Sequence, residues 1–167
     1  LDENIFYIKD FESEKLSTYL NIKLNDNFTM KDTVPNRKVF PDISHYSHLV
    51  RDNKELIAGS VETTYGCKHS CTHCPVPIVF KSSFKTYSEE KIINDVSNQI
   101  ESGAQHISFN DPDFFNGPKY SLKILDILIN KFPSITYDST IKVEHILKYE
   151  KYFTELSSMN MLFVTSA

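Results

Sequence analysis

Cys67, Cys71 and Cys74 are the three cysteines of the chain. They fall in one run, Gly66-Cys67-Lys68-His69-Ser70-Cys71-Thr72-His73-Cys74-Pro75, with the spacing C-x3-C-x2-C. An odd number of thiols packed into one short loop cannot build a disulfide framework, so metal binding in a reducing compartment is the chemistry to weigh. Three thiolates with no fourth suit an iron–sulfur cluster that leaves one iron open to a substrate. Zinc is the rival, because His69 or His73 would complete a tetrahedral Cys3His set. Structural zinc sites usually split their ligands between two knuckles, whereas here every donor crowds into one loop.

The elements that must position this loop follow from the hydrophobic pattern. From about residue 56 onward, apolar β-type runs alternate with helical periodicity, which predicts βα units and a parallel sheet. A first strand over Leu56 to Thr64 delivers the cysteine run at its carboxyl end. Ser88 reads as an N-cap with Glu89 and Glu90 in the first turn, a helix start and nothing more, and Ile92, Ile93, Val96 and Ile100 share one face before Gly103 ends the helix. A second strand, His106 to Phe109, runs into Asn110-Asp111-Pro112-Asp113. Leu122, Leu125, Leu128, Ile129 and Phe132 mark a second helix closed by Pro133. A third strand over Ile135 to Val143, a third helix over about Ile146 to Ser157 and a fourth strand over Met161 to Thr165 complete the order βαβαβαβ. Ligands of parallel βα folds sit at the carboxyl ends of the strands, where the cysteine loop and the Asn-Asp-Pro-Asp loop both fall.

The 167 residues, 40% of them hydrophobic, suffice for one sizeable core. A net charge of -4 carries no nucleic-acid footprint. No long apolar run marks a membrane span and no secretory signal is visible, so the cytoplasm is the expected compartment. The domain reading is residues 1–55 as a linker or upstream-domain remnant and 56–167 as a core. Within the first part, 3–24 are expected to include a strand and a short helix, and 33–52 to act as a linker or wrap. A start at Leu1 and an end within strand-like sequence read as a fragment of a longer protein.

A C-x3-C-x2-C run after the first strand of a βα series resembles the radical S-adenosylmethionine superfamily, whose motif usually has an aromatic residue before the third cysteine, the place His73 holds here. The resemblance covers residues 56–167 and implies an α/β fold: the first half of a (βα)6 TIM-like barrel behind an N-terminal linker segment. It implies a 4Fe-4S cluster on Cys67, Cys71 and Cys74, with the open iron chelated by S-adenosylmethionine. An electron entering the sulfonium would release a 5'-deoxyadenosyl radical to modify a substrate that the sequence leaves open, and a flavodoxin or ferredoxin would serve as reductant. Asn110-Asp111-Pro112-Asp113 stands where the superfamily carries a Gly-Gly-Glu-Pro-like segment, keeping the acid and the proline without the glycines. Asp111 is the first choice as partner of the cofactor's ammonium, with Asp113 behind it and Asn110 beside it. Lys142 and Glu144 at the end of the third strand and Ser166 at the end of the fourth complete the expected cofactor contacts.

Two finer resemblances exist. One is to a group of radical enzymes with a cysteine- or selenocysteine-containing (CCAEP or CUAEP) carboxyl-terminal tail, on the cysteine run and Lys142-Val143-Glu144-His145. The other, on the Asp-rich loop, is to the branch of cobalamin-dependent and methylthiotransferase-like members. A methylthiotransferase needs a second cluster, for which no cysteine remains, and Asp42-Ile43-Ser44-His45 lacks the spacing of a cobalamin loop, so either accessory would lie outside these residues. Transfer of a 3-amino-3-carboxypropyl group by cleavage of the other C–S bond, or a non-catalytic zinc module, is the alternative function. His45, His48 and His106 read as surface or packing residues and His73 as a packing ring. Phe80, Phe84, Tyr87, Phe114, Phe115 and Tyr120 line a pocket or pack loops onto the barrel.

Overall fold

The computed structural model describes residues 33–166, together with Thr18. The strand and helix expected within 3–24 otherwise lie outside the described residues. The chain divides into two units between Met30 and Lys31.

The second unit, from Lys31 onward, is α/β. Its main sheet has five strands: β1 (His48–Arg51), β2 (Lys54–Val61), β5 (His106–Phe109), β6 (Thr136–Ile141) and β7 (Met161–Ser166), side by side in that order. β2, β5, β6 and β7 run parallel, while β1 pairs antiparallel with the start of β2. The connections are α2 (Glu89–Glu101), α3 (Pro118–Lys131) and, after β6, α4 (Val143–Lys148) followed by α5 (Lys151–Ser157). The short β3 (Thr64–Gly66), α1 (Val76–Phe80) and β4 (Phe84–Thr86) occupy the crossover between β2 and α2.

The alternation along β6 shows which face is the core: Tyr137, Ser139 and Ile141 are buried, and Thr136, Asp138 and Thr140 are half-buried. On the covered face, Val61, Ile107, Phe109, Tyr137 and Ile141 pack with Ile92 and Val96 of α2 and with Leu122, Ile124, Leu125 and Leu128 of α3. Ser88 caps α2 as the sequence suggests, its hydroxyl accepting from the Lys91 N–H at 3.3 Å, and Gly103 follows the helix with φ of 108°.

The second face is polar. His106 places Nε2 2.6 Å from Asp138 Oδ2 and Nδ1 2.8 Å from Thr136 Oγ1, and the Ser108 hydroxyl donates to the same Asp138 oxygen at 2.6 Å. His106 is therefore buried between these polar partners and the Phe163 ring, which stacks on it at 6.2 Å. Arg37, within residues 33–52, forms a two-point bridge to Asp95 of α2 at 2.6 and 2.9 Å and donates to Ser60 O at 3.1 Å, which fastens this segment to α2 and β2.

Several boundaries differ from the sequence reading. His48–Arg51, within the expected linker or wrap 33–52, is a strand of the main sheet, and β2 begins at Lys54, before the expected Leu56. The expected strand Leu56 to Thr64 divides into β2 and β3, because Thr63 and Thr64 turn their polar groups onto Asp111 instead of continuing the ladder. The third strand stops at Ile141, since Lys142 becomes the N-cap of α4. The helix expected over Ile146 to Ser157 is two helices, α4 starting earlier at Val143 and α5 following a break at Tyr149-Glu150.

Candidate functional site

β2 ends at Val61, and the chain reaches Cys67 through a segment held by one buried carboxylate. Asp111 accepts the N–H of Thr63 at 3.1 Å and of Thr64 at 2.7 Å, the Thr63 hydroxyl at 3.0 Å and the Thr64 hydroxyl. Burial pushes its carboxyl above the ordinary aspartate value, and the four donors pull it back without prevailing. β3 then pairs antiparallel with β4, Thr64 opposite Thr86 and Gly66 opposite Phe84, so residues 67–83 form a closed excursion from that pair. Gly66 has φ of 76°, and a Cβ there would lie 2.3 Å from the Ser83 carbonyl oxygen, so only glycine fits before the first cysteine.

The cysteines are free thiols, Cys67 buried and Cys71 and Cys74 half-buried. Asn116 Nδ2 donates to Cys67 Sγ at 3.1 Å, and the Lys68 ammonium donates to the Asn116 carbonyl and lies 5.4 Å from the centre of the Phe84 ring. Lys142 pairs with Glu144 at 2.8 Å, and that hydrogen bond, helped by Cys71 nearby, holds its ammonium above the usual lysine value. Glu144 is correspondingly lowered by Lys142. His73 is exposed.

Asp113 joins the next two loops. Its Oδ1 accepts from the N–H of Phe115 and of Lys142, each at 3.2 Å, capping the 3-10 turn Phe114–Asn116 and fixing the entry to α4. Its Oδ2 faces His145 Nδ1 at 2.7 Å and His69 Nε2 at 3.5 Å, and the two imidazoles lie 4.8 Å apart centre to centre. Burial, then Lys142 and His145, lowers the His69 pKa.

The structure thus gathers Cys67, Cys71, Cys74, Asp111, Asp113, Lys142 and Glu144 at the carboxyl ends of β2, β5 and β6. Asn110 stands slightly apart: it is exposed, donates its N–H to Val61 O at 2.9 Å and lines a cavity of about 750 Å³ with Arg37, Tyr46, Ser60 and Ser108. Ser166 is exposed at the end of β7. Sequence reasoning gave no role to Asn116, and His145 entered it only within a resemblance. An amide seven residues past the second strand carries no pattern, and its meaning comes from the 3-10 turn that aims it at Cys67. Of the expected pocket aromatics, Phe114 and Phe115 are core residues, Phe114 stacking on Phe109 at 4.6 Å.

Whether the thiols suit the group expected of them can be judged from what surrounds them. Soft donors on one loop, an N–H···S hydrogen bond to one and an ammonium near another match an anionic iron–sulfur cluster. A Cys3His zinc set matches less well, because His69 turns to Asp113 and His145. Among the described residues, the group of His, Cys, Asp or Glu ligand atoms lying within 4.8 Å of one another is His69, Asp113 and His145, with no cysteine in it.

Comparison with known proteins finds similarity over part of the chain. The ribosomal protein uS12 methylthiotransferase RimO of Pseudothermotoga lettingae is 33% identical over 88 residues, which are 52% of this chain and 20% of that protein. The tRNA-2-methylthio-N(6)-dimethylallyladenosine synthase of Fusobacterium nucleatum is 34% identical over 74 residues, 40% of this chain and 17% of that enzyme. The chain spans about a fifth of the length of these curated relatives. No family model matches it. Both relatives are named for methylthio chemistry, one on a ribosomal protein and one on a tRNA base. Among the described residues no helix is long and apolar enough to cross a membrane.

Proposed function

We propose that residues 56–167 are the cluster-binding half of a radical S-adenosylmethionine barrel, whose completion would need further βα units beside β7. One observation carries this reading: the three thiols share one loop at the carboxyl end of the first parallel strand, with Asp111 and Gly66 shaping the approach and Asn116 hydrogen-bonded to a sulfur. The partial likeness to two methylthio-forming enzymes supports it.

Cys67, Cys71 and Cys74 would hold a 4Fe-4S cluster; bound there, it would supply one electron to the sulfonium of S-adenosylmethionine, so that the bond from sulfur to the 5' carbon would break to give methionine and a 5'-deoxyadenosyl radical. The chain's own residues orient and insulate. The Asn116 hydrogen bond stabilises negative charge on Cys67, which shifts a potential upward. Asn110, Glu144 and Ser166 offer exposed polar groups, and Lys142 a half-buried one, at the strand ends for the cofactor's amino acid and ribose. Asp111, with four donors already on it, acts through the Thr63-Thr64 segment and so is a positioning residue, and Asp113 fixes the Lys142 backbone. A small electron-transfer protein of the flavodoxin or ferredoxin type would supply the electron.

The test is anaerobic reconstitution with iron and sulfide, followed by electron paramagnetic resonance of the reduced chain with and without S-adenosylmethionine. A 4Fe-4S signal that shifts on adding the cofactor, and is lost when the three cysteines become serine, is the expected result. No cluster, or one blind to the cofactor, overturns the proposal.

A further inference from the structure

His69 and Asp113 lie in the connections after β2 and β5, and His145 lies in the first turn of α4, directly after β6. They present three atoms to one another: His69 Nε2, Asp113 Oδ2 and His145 Nδ1. All three atoms are buried and none has a hydrogen-bond partner, although Asp113 Oδ2 lies 2.7 Å from His145 Nδ1 and 3.5 Å from His69 Nε2. The short approach is therefore not aligned as an N–H···O bond. Asp113 and His145 are 4% and 3% exposed, so solvent does not satisfy them. Buried polar atoms left unpaired are costly, and three that converge call for a common partner.

The three atoms lie within 4.8 Å of one another, close enough for small side-chain rotations to bring them onto one metal ion. Ligands that each stand about 2.1 Å from one ion lie roughly 3–3.5 Å from each other, and two imidazoles with one carboxylate form a donor set that first-row divalent ions accept. The opposite edge of Asp113 is already fixed, since Oδ1 accepts from two backbone N–H groups and so aims Oδ2 inward. We propose that His69, Asp113 and His145 form a binding site for one divalent transition-metal ion, separate from the cysteine set, which pins the cysteine loop to the loop after β5 and to the start of α4. Three protein ligands leave a coordination position for water. The proposal uses none of the thiols and stands whether or not they carry a cluster.

The test begins with the full chain in which Cys67, Cys71 and Cys74 are serine, checked for folding by circular dichroism and titrated with Co(II). The expected result is one equivalent bound, with visible ligand-field bands and no sulfur-to-metal charge transfer. Zinc and Fe(II), added in competition, identify which ion displaces cobalt. Adding His69→Gln or His145→Gln lowers the cobalt affinity by roughly 100-fold or more, beyond the range usual for second-shell changes. A folded serine chain that binds no cobalt, or histidine variants that bind it as well, overturns the proposal. The chain with its cysteines intact gives a second readout: at two equivalents of zinc it retains one ion more than its His145→Gln variant, and equal retention also overturns the proposal. Neither readout involves S-adenosylmethionine, so this site and the cluster reading fail separately.

Discussion

Asp111→Asn replaces one carboxylate oxygen with an amide nitrogen and tests how the cysteine loop is positioned. Oδ1 accepts three of the four hydrogen bonds and Oδ2 accepts only the Thr63 N–H, so the asparagine oxygen takes the Oδ1 place and its NH2 meets that N–H. Thr63 and Thr64 are 0% and 2% exposed, which leaves the donor no water. One buried orphan costs about 1–3 kcal/mol, and the three remaining bonds lose their charge assistance. Against this, the neutral amide escapes the desolvation that holds the Asp111 carboxyl up. The balance is a loss of about 2 kcal/mol. Unfolding entropy of about 2.1 cal/mol/K per residue makes that a fall of roughly 7 °C in Tm for the Lys31–Ala167 unit.

Differential scanning calorimetry of the full chain measures the fall, and iron content after reconstitution measures how well the loop still presents its thiols. The expected outcome is a lower Tm and lower iron loading, with the loaded fraction still responding to S-adenosylmethionine. A Tm within about 2 °C of the parent refutes the reasoning. Unchanged stability and loading with a lost cofactor response would instead make Asp111 a direct contact of the ammonium.

Arg37→Ala strands Asp95, whose side chain is 3% exposed while that of Arg37 is 35% exposed, so the usual penalty for breaking a buried pair is discounted to about 2 kcal/mol; urea unfolding checks this, and Arg37→Lys recovers less than half because a point charge cannot reproduce the two-point bridge. Gly66→Ala sets a Cβ against a backbone oxygen at 2.3 Å with φ of 76°, so it lowers stability by at least ~2 kcal/mol and reduces iron loading, whereas Gly103→Ala, with Ile57 Cδ1 at 3.8 Å, destabilises without touching loading. The Glu55 carboxylate and the Ser44 carbonyl raise the His48 pKa above the ordinary 6.5. The pairing of β1 with β2 therefore gains support that is complete below 6.5 and is lost as pH rises through the raised value; lower amide-exchange protection factors in residues 48–57 above that pH check it, and Glu55→Gln weakens the dependence to the share owed to the Ser44 carbonyl.

α2 and α3 were legible because their apolar residues recur at helical spacing and a serine and a glycine mark the ends of α2, features that act within one helix. β1 was missed although it carried a signal. Asp52 and Asn53, with φ of 50° and 60°, make the two-residue turn that right-twisted hairpins favour, but exposed His48, Val50 and Arg51 gave no buried alternation to read as a strand. The cysteines were legible from type and spacing alone. Asp111 was singled out for its position, yet its four bonds to Thr63 and Thr64 span 47 and 48 residues, a distance no local pattern covers. His145 follows the same logic, because its neighbours His69 and Asp113 come from two other crossovers.

The ties among these crossovers carry a consequence that none of them shows alone. The loop after β5 reaches the cysteine loop at both ends, through Asp111 on Thr63 and Thr64 and through Asn116 on Cys67. It reaches the loop after β6 through Asp113 on the Lys142 N–H. Asp111 and Asp113 lie within four residues of the end of β5, so the segments they hold are tied closely to the sheet beneath them. Order around the thiols thus comes from carboxylates and an amide of the chain itself. Effects at Asp111 and Gly66, both on the approach to Cys67, are therefore expected to be less than additive when combined, since either change alone already releases the same segment. A double variant whose loss equals the sum of the two would mean that the approach to Cys67 is held at two independent points rather than as one unit.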